Sequence, residues 1–190
     1  MPTYDISTHL AALYASADDP WNTRTSPYEQ DKFAQTIASL PRPHYRRGLE
    51  VGCGAGALTA HLARRCDHLI AMDCTERAVA VAQSLSDLTH VVFTCGTAPA
   101  DWPRHAPDVV ILSEVLYFLT DAENAGLAAR ISDDCTTDCD IVLVNWLGDT
   151  SGPISGAQAA VRLTDKLSMI CKKISSECFH SFRIDVLRKC

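Results

Sequence analysis

The chain has no run of five or more basic residues, and no segment approaches the roughly 20 apolar residues that a membrane-spanning helix needs. With a net charge of −6, attraction to the phosphates of nucleic acid is not expected. The N-terminus also lacks a basic start followed by an apolar run, which is the pattern of a secretory signal. We therefore expect a cytoplasmic protein that binds neither nucleic acid nor a membrane.

Cysteine pairs at the spacing of a zinc site are largely missing as well. Of the nine cysteines, only Cys135 and Cys139 lie close together, and no second Cys or His pair accompanies them. Their number is odd, and Cys66, Cys95 and Cys171 each sit singly in an apolar stretch. This pattern predicts free thiols that behave as small buried hydrophobic residues, with no disulfide and no metal.

Apolar runs alternate with helical segments along most of the 190 residues. Continuous apolar runs, which suit a parallel sheet covered on both faces, occupy residues 49–51, 69–72, 91–94, 108–113 and 141–146. Helical spacing occupies residues 57–66, 76–84 and 121–132. The alternation predicts one domain of the α/β class with a doubly wound sheet.

The two ends of the chain differ from this alternation. Residues 5–17 and 26–40 have helical spacing, and Pro41 and Pro43 end the second helix. At the other end, residues 167–174 and 182–187 are predicted to be strands with no long helix between them. This arrangement indicates an antiparallel hairpin at one edge of the sheet.

A glycine-rich turn follows the first predicted strand directly. Gly52, Gly54 and Gly56 lack side chains, so they permit a tight turn and let a ligand reach backbone N–H groups at a helix N-terminus. This is the pattern of a nucleotide-cofactor site. Gly52, Gly54 and Ala57 also satisfy the dinucleotide fingerprint, with Asp73 about 20 residues later. The turn alone therefore does not separate a dinucleotide from S-adenosylmethionine.

Three features favour S-adenosylmethionine. Glu50 lies two residues before the first glycine, where a carboxylate suits an ammonium group and disfavours a pyrophosphate. Roughly 45 residues precede the first strand, and little chain remains for a separate substrate domain. Asp73, at the end of the second strand, is then the acceptor for both ribose hydroxyls. Cys53 in the turn and Cys74 beside Asp73 are assigned to the same cofactor site.

A second group of candidates follows the fourth predicted strand, in DVVILSEVLYFL at residues 108–119. Ser113 and Glu114 end this strand, at the edge where doubly wound sheets bind ligands. Ser113 is assigned to the cofactor and Glu114 to catalysis. The alternative for Glu114 is an acid at a helix start, favoured there by the helix dipole.

With these residues identified, the chain resembles the class I S-adenosylmethionine-dependent methyltransferases. Within them it is similar to the nodulation protein S family, rhizobial N-methyltransferases of chitooligosaccharide signals. The narrower resemblance rests on DPW followed by RTSPYEQ, and on NWLGDT at residues 145–150. The resemblance implies a seven-stranded Rossmann-like sheet, with a helical lid at residues 1–43, a cofactor-binding core at 44–150 and a C-terminal edge at 151–190.

The resemblance also implies roles for individual residues. Trp21, Arg24 and Tyr28 belong to the lid over the methionine end of the cofactor, with Arg24 as a partner for its carboxylate. One departure concerns the end of the third strand, where family members often carry an acid for the adenine amino group. Thr97 stands there instead, so Asp101 or backbone groups are the remaining candidates.

The implied reaction is methyl transfer to the free amine of a deacetylated chitooligosaccharide, with S-adenosylhomocysteine as the product. Glu114, or a water that it holds, accepts the amine proton, while Tyr117 and Trp146 offer aromatic faces to a sugar ring. Two alternatives stay open. One is a methyltransferase of the same fold acting on a thiol or another small soft nucleophile; the other is a protein that binds the cofactor without catalysis.

Overall fold

One mixed sheet of seven strands, in the order β3-β2-β1-β4-β5-β7-β6, organises the protein. The computed structural model describes residues 6–84, 87–150 and 152–190. The strands are β1 (Tyr45–Val51), β2 (Cys66–Asp73), β3 (Val91–Cys95), β4 (Val109–Ser113), β5 (Asp140–Trp146), β6 (Cys171–Cys178) and β7 (Phe182–Lys189). Strands β1 to β5 are parallel, and β7 runs antiparallel to both β5 and β6. The doubly wound sheet with an antiparallel C-terminal edge is therefore confirmed.

Helices cover both faces of this sheet. They are α1 (Ile6–Ser16), α2 (Pro27–Ala38), α3 (Thr59–Leu62), α4 (Glu76–Ser84), α5 (Asp121–Asp134) and α6 (Gly156–Leu167). Successive residues of β4 point to opposite faces: Leu112 packs in the core beneath α5 and α6, and Ile111 in the core beneath α2 and α3. Burial on both faces explains why the first four residues of β4, 109–112, are all apolar. No helix among residues 6–84, 87–150 and 152–190 is long and apolar enough to cross a membrane.

The helix after the glycine turn is shorter than predicted. Helical spacing extends to residue 66, but α3 ends at Leu62 and a 3-10 turn occupies Ala63–Arg65. Cys66 is already extended and pairs with Tyr45 as the first residue of β2. The exposed Asp67 and His68 interrupt the apolar pattern at the start of this strand, so the sequence pattern predicts a strand that begins only at residue 69.

The C-terminal region contains a helix that the sequence analysis missed. Helix α6 ends at Leu167, which was predicted to begin a strand, and β6 begins only at Cys171. Ser155 and Gln158 form a reciprocal capping box at the start of α6. A Ser followed three residues later by Gln is a recognised helix-start signal, so the sequence did contain the information.

At the N-terminus, both predicted helices are present. Ser26 caps α2 by accepting a hydrogen bond from the Glu29 backbone, and Pro27 occupies the first helical position. The lid predicted at residues 1–43 is described from residue 6 onward; residues 1–5, which include the first residue of the predicted helix at 5–17, lie outside the described residues, as does residue 151 at the predicted edge boundary.

All nine cysteines are among the described residues, and all are free thiols. Cys66 is buried as predicted, but Cys171 is only half-buried and Cys95 is exposed. The prediction is wrong for Cys95 because it ends β3, an edge strand with one neighbour in the sheet.

We expect Leu112→Ala to lower the free energy of unfolding by about 2–5 kcal/mol, since it leaves a cavity in a close-packed core. The wild-type side chain is 0% exposed. Val92→Ala on β3 is the control, because Val92 is 60% exposed and surface changes cost within about 0.5 kcal/mol. Urea unfolding followed by circular dichroism measures both variants. Equal losses would contradict the central position of β4.

Candidate functional site

The carboxyl ends of β1, β2, β4 and β5 open into a cavity of about 890 Å³. Doubly wound sheets bind their ligands at this edge, and the volume lies in the upper part of the roughly 300–1,000 Å³ typical of small-molecule sites. Side chains of α1, α2 and the segment between them form the opposite wall. The cavity therefore extends from the glycine turn to the ends of β4 and β5.

The glycine turn forms one end of the cavity. Gly52, Gly54 and Gly56 have φ angles of 82°, 52° and 80°, which side-chain-bearing residues rarely adopt. The N–H groups of Gly52 and Cys53 both donate to the Met72 carbonyl, at 2.8 and 3.0 Å. Gly54 N–H donates to Asp73. These N–H groups anchor the turn to β2 and are not free for a ligand, contrary to the expectation from the sequence; the glycines contribute close backbone approach instead.

Glu50 lies beneath this turn and is 1% exposed. Its Oε2 accepts a 2.6 Å hydrogen bond from the hydroxyl of Thr59, the first residue of α3. Burial raises the pKa of Glu50 to about 7; Asp73 adds to the shift and the Thr59 bond opposes it. The charge of this end of the cavity therefore changes near neutral pH.

Asp73 ends β2 beside the same turn. Its Oδ2 accepts a hydrogen bond from Gly54 N–H and its Oδ1 from Thr75 N–H, both at 2.9 Å. Burial raises the pKa of Asp73 above its ordinary value, although these hydrogen bonds lower it. The Thr75 side chain is a third donor to this carboxylate. A carboxylate has about four acceptor positions, so Asp73 keeps the capacity to accept a further hydrogen bond from a ligand hydroxyl.

Glu114 occupies the other end of the cavity, directly after β4. Its φ of 59° is in the left-handed region, where a non-glycine residue is strained by about 1–3 kcal/mol. The carboxylate accepts three hydrogen bonds. Lys32 Nζ donates to Oε1 at 2.9 Å, and the Tyr117 hydroxyl and the backbone N–H of Trp146 donate to Oε2 at 2.9 and 2.8 Å. Strained backbone of this kind concentrates at functional sites.

Aromatic rings surround this carboxylate. Tyr28 packs edge-on against Trp146 with ring centroids 5.6 Å apart. Tyr117 is buried, and burial, followed by the charge of Glu114, raises the pKa of the Tyr117 hydroxyl. The hydroxyl therefore stays protonated and can donate to Glu114 at neutral pH.

Helix α1 and the following segment close the cavity above the glycine turn. Tyr14 is buried against Trp21, with ring centroids 5.7 Å apart and the planes nearly perpendicular. A Cβ placed on Gly54 would lie only 2.9 Å from the Tyr14 hydroxyl, so α1 touches the turn directly. Burial, with Asp73 next in importance, raises the pKa of Tyr14.

Thirteen of the fifteen residues singled out from the sequence line the cavity. They are Trp21, Tyr28, Glu50, Gly52, Cys53, Gly54, Asp73, Cys74, Thr97, Ser113, Glu114, Tyr117 and Trp146. Gly56 instead packs against Ala82 of α4. Arg24 is exposed and pairs with Asp19 at 3.6 Å, outside the lining. The ligand-binding roles assigned to these residues remain predictions.

Thr97 turns out to act together with an acid. Its N–H and hydroxyl both donate to Asp101 Oδ2, at 2.9 and 3.2 Å. Thr97 lines the cavity and Asp101 does not. The carboxylate named as an alternative adenine contact thus holds the Thr97 loop, and the adenine contacts themselves stay a prediction.

Lys32 and Tyr14 are the main lining residues that sequence reasoning missed. Lys32 is 4% exposed and bridges Glu29 and Glu114. In the sequence, Glu29 and Lys32 have the spacing of an ordinary surface pair on a helix, so nothing signals burial. Tyr14 lies on a short helix whose packing partner, the glycine turn, is some 40 residues away in the chain.

Comparison with known proteins identifies relatives of this chain. The family model for Nodulation protein S matches residues 6–173. Nodulation protein S of Sinorhizobium fredii strain NGR234 is 32% identical over 115 residues, which is 60% of this chain and 53% of that protein. The protein of the same name from Bradyrhizobium diazoefficiens is 30% identical over 130 residues, 67% of this chain and 62% of that protein. The chain thus aligns with between half and two thirds of the length of these relatives.

A solved structure agrees with the fold. The crystal structure of N-methyltransferase NodS from Bradyrhizobium japonicum WM9, in complex with S-adenosyl-L-homocysteine, superposes with a TM-score of 0.84. The match covers 97% of this chain and 99% of the other at 20% identity, so it supports the shared fold. Because the family model spans nearly the whole chain, the protein belongs to the Nodulation protein S family.

Proposed function

We propose that this protein is an S-adenosylmethionine-dependent N-methyltransferase that methylates the free amine of a deacetylated chitooligosaccharide. The observation that carries the proposal is one continuous cavity, lined by the glycine turn and Asp73 at one end and by Glu114, Tyr117 and Trp146 at the other. Such a cavity can hold a nucleoside cofactor and an acceptor side by side. Membership of the family supports the same assignment.

The residues at the first end fit the cofactor. Asp73 would hold the ribose hydroxyls, since the N–H groups of Gly54 and Thr75 fix its carboxylate at the end of β2 and it keeps the capacity to accept a further hydrogen bond. Gly52 and Gly54 would let the cofactor approach the backbone closely. Trp21 and Tyr14 would cover it from above.

The alternative of a dinucleotide is disfavoured by charge. Glu50 and Asp73 are two buried acids beside the turn, and neither has an ion-pair partner among the described residues. A pyrophosphate would add negative charge to this end. The amino-acid part of S-adenosylmethionine would instead bring a cation to it.

The charge of the cavity as a whole favours an amine acceptor over a soft anionic nucleophile. Among the described residues, six acidic side chains line the cavity and Lys32 is the only lysine or arginine. The acids are Glu29, Glu50, Asp73, Glu114, Glu123 and Asp149. A thiolate or an oxyanion would be repelled by this lining, whereas an amine would be attracted in its protonated form. Trp146 and Tyr117 supply the aromatic surface that a sugar ring can pack against.

The chemistry requires positioning more than a strong nucleophile on the protein. The cofactor, when bound, supplies a methyl group on a sulfonium, which is already an activated leaving group. Holding the reactants in line contributes up to about 7–11 kcal/mol in favourable cases. Glu114, fixed by Tyr117 and Trp146, is placed to accept the proton that the amine loses, directly or through a water.

We expect Asp73→Asn to weaken binding of S-adenosylhomocysteine at least about tenfold, because hydrogen bonds to a charged group contribute roughly 1.5–3 kcal/mol. Asp67→Asn is the matched control, since Asp67 lies on the same strand at its opposite end and is exposed. Isothermal titration calorimetry measures both. Unchanged affinity in Asp73→Asn would exclude the ribose role.

We expect Glu114→Gln to lower kcat by about 10²-fold or more, as loss of a positioned acid or base typically does. Glu177→Gln, an exposed position on β6, is the control. The measurement is turnover between pH 6 and 9, with cofactor affinity determined in parallel. Normal turnover across this range would rule out the role of Glu114 as a base.

The acceptor is identified by a screen with a radiolabelled methyl donor. We expect labelling of chitooligosaccharides that carry one free amine and none of their fully acetylated counterparts, which are the matched control. Labelling of small thiols alone would support a soft-nucleophile methyltransferase instead. Tight cofactor binding without labelling of any acceptor would indicate a non-catalytic binding protein.

A further inference from the structure

Lys32 is an unusual component of the acceptor end of the cavity. It lies on α2, its side chain is only 5% exposed, and it reaches across to the end of β4. Its Nζ lies 2.9 Å from Glu114 Oε1 and 3.0 Å from Glu29 Oε2. Burying an ammonium is costly unless it is paired, and here two carboxylates pair with it.

The surroundings keep Lys32 positively charged. Burial alone lowers the pKa of Lys32, but Glu114 and Glu29 outweigh it and the net shift is upward. Two other titratable groups adjoin the cluster: the ring of Tyr28 lies 5.4 Å from Nζ, and the Tyr117 hydroxyl donates to Glu114. With two carboxylates and one ammonium, the cluster carries one net negative charge.

We propose that Lys32 keeps the bound acceptor amine able to lose its proton, by cancelling one of the two carboxylate charges at this end of the cavity. The single charge that remains attracts an amine. A second uncancelled charge would hold the amine as its ammonium, which has no lone pair for attack. The proposal deepens the N-methyltransferase function and rests on it for the acceptor, but the charge-setting role of Lys32 can be tested without any acceptor.

The consequence for the reaction has a definite sign. An additional negative charge a few ångströms from an amine favours the protonated amine and raises the pKa of the bound acceptor by about 1–3 units. At neutral pH this change lowers the fraction that can attack, so kcat falls while the acceptor binds more tightly. A purely structural role for Lys32 would not produce that combination.

The first experiment uses a series of variants that differ in the charge of the cluster. Glu29→Gln gives a net charge of zero, wild type and Lys32→Arg give minus one, and Lys32→Met gives minus two. The double variant Glu29→Gln/Lys32→Met returns the charge to minus one with both original side chains replaced. Calorimetry measures the affinity of each for S-adenosylmethionine, which is a sulfonium cation, and for S-adenosylhomocysteine, which lacks that charge.

We expect the ratio of the two affinities to follow the charge of the cluster. Lys32→Met should raise the preference for S-adenosylmethionine about 3- to 10-fold over wild type, and Glu29→Gln should lower it, because electrostatic interactions across a low-dielectric cavity are only partly screened. Lys32→Arg and the double variant should match wild type. Thermal unfolding of each variant separates loss of folding from loss of charge.

The second experiment measures methyl transfer to a chitooligosaccharide with one free amine. Lys32→Met should lower both KM and kcat, with kcat at pH 7 falling about tenfold and the acidic limb of its pH profile moving up by about one unit. The double variant should restore the profile. If the affinity ratio fails to follow charge, or the pH profile of Lys32→Met does not move, the proposal is overturned. If wild type methylates no amine, the proposed function fails, and the affinity ratio still decides the role of Lys32.

Discussion

The carboxylate of Glu114 links α2 to the carboxyl ends of β4 and β5. It receives an ammonium from α2, a hydroxyl from the turn after β4 and a backbone N–H from the end of β5. The left-handed φ of Glu114 costs energy, and these three bonds hold this geometry together with the bond from the Glu114 N–H to the Val144 carbonyl. One charged group thus contacts α2, Tyr117 and the end of β5. Shape and charge at this end of the cavity come from the same contacts, which is why a change in either is expected to alter both.

The parts of the site that could be predicted are those encoded by neighbouring residues. The glycines after β1 and Asp73 at the end of β2 can be predicted from the sequence because turns and strand ends depend on neighbouring residues. The role of Lys32 in the site cannot be predicted from the sequence, because its partner Glu114 lies 82 residues further along the chain and only the fold brings them together. Arg24 is a cation assigned to the cofactor by resemblance, and that role stays a prediction. The structure pairs it with Asp19, five residues away at the surface.

The difference between local and distant contacts also explains which strands and helices could be predicted from the sequence. Strands β4 and β5 are buried on both faces, so they are continuous apolar runs that the sequence reveals directly. The start of β2 is hidden because Asp67 and His68 project into solvent. Helix α6 buries Ala159, Ala160, Leu163 and Leu167 along one face, and its capping residues mark its start, so both signals were present in the sequence and were missed. Edge and cap positions thus account for the errors in element boundaries.

The glycine-turn end of the cavity also carries buried acidic groups, but no lysine or arginine of the described ranges lines it. Glu50 has no ion-pair partner among the residues that the structure describes, and burial raises its pKa to about 7. Because the folded state holds this proton more tightly than the unfolded chain, whose ordinary value is 4.5, the group's contribution to stability is lost as pH rises towards 7. A cationic ligand at this end would favour the ionised carboxylate and offset that loss, drawing a proton from Glu50 as it binds. At the Glu114 end, Lys32 supplies a positive charge to the acidic lining. At the Glu50 end, a positive charge would come from the bound ligand. A methyl donor that carries both an ammonium and a sulfonium meets this requirement, whereas a neutral or anionic nucleotide does not.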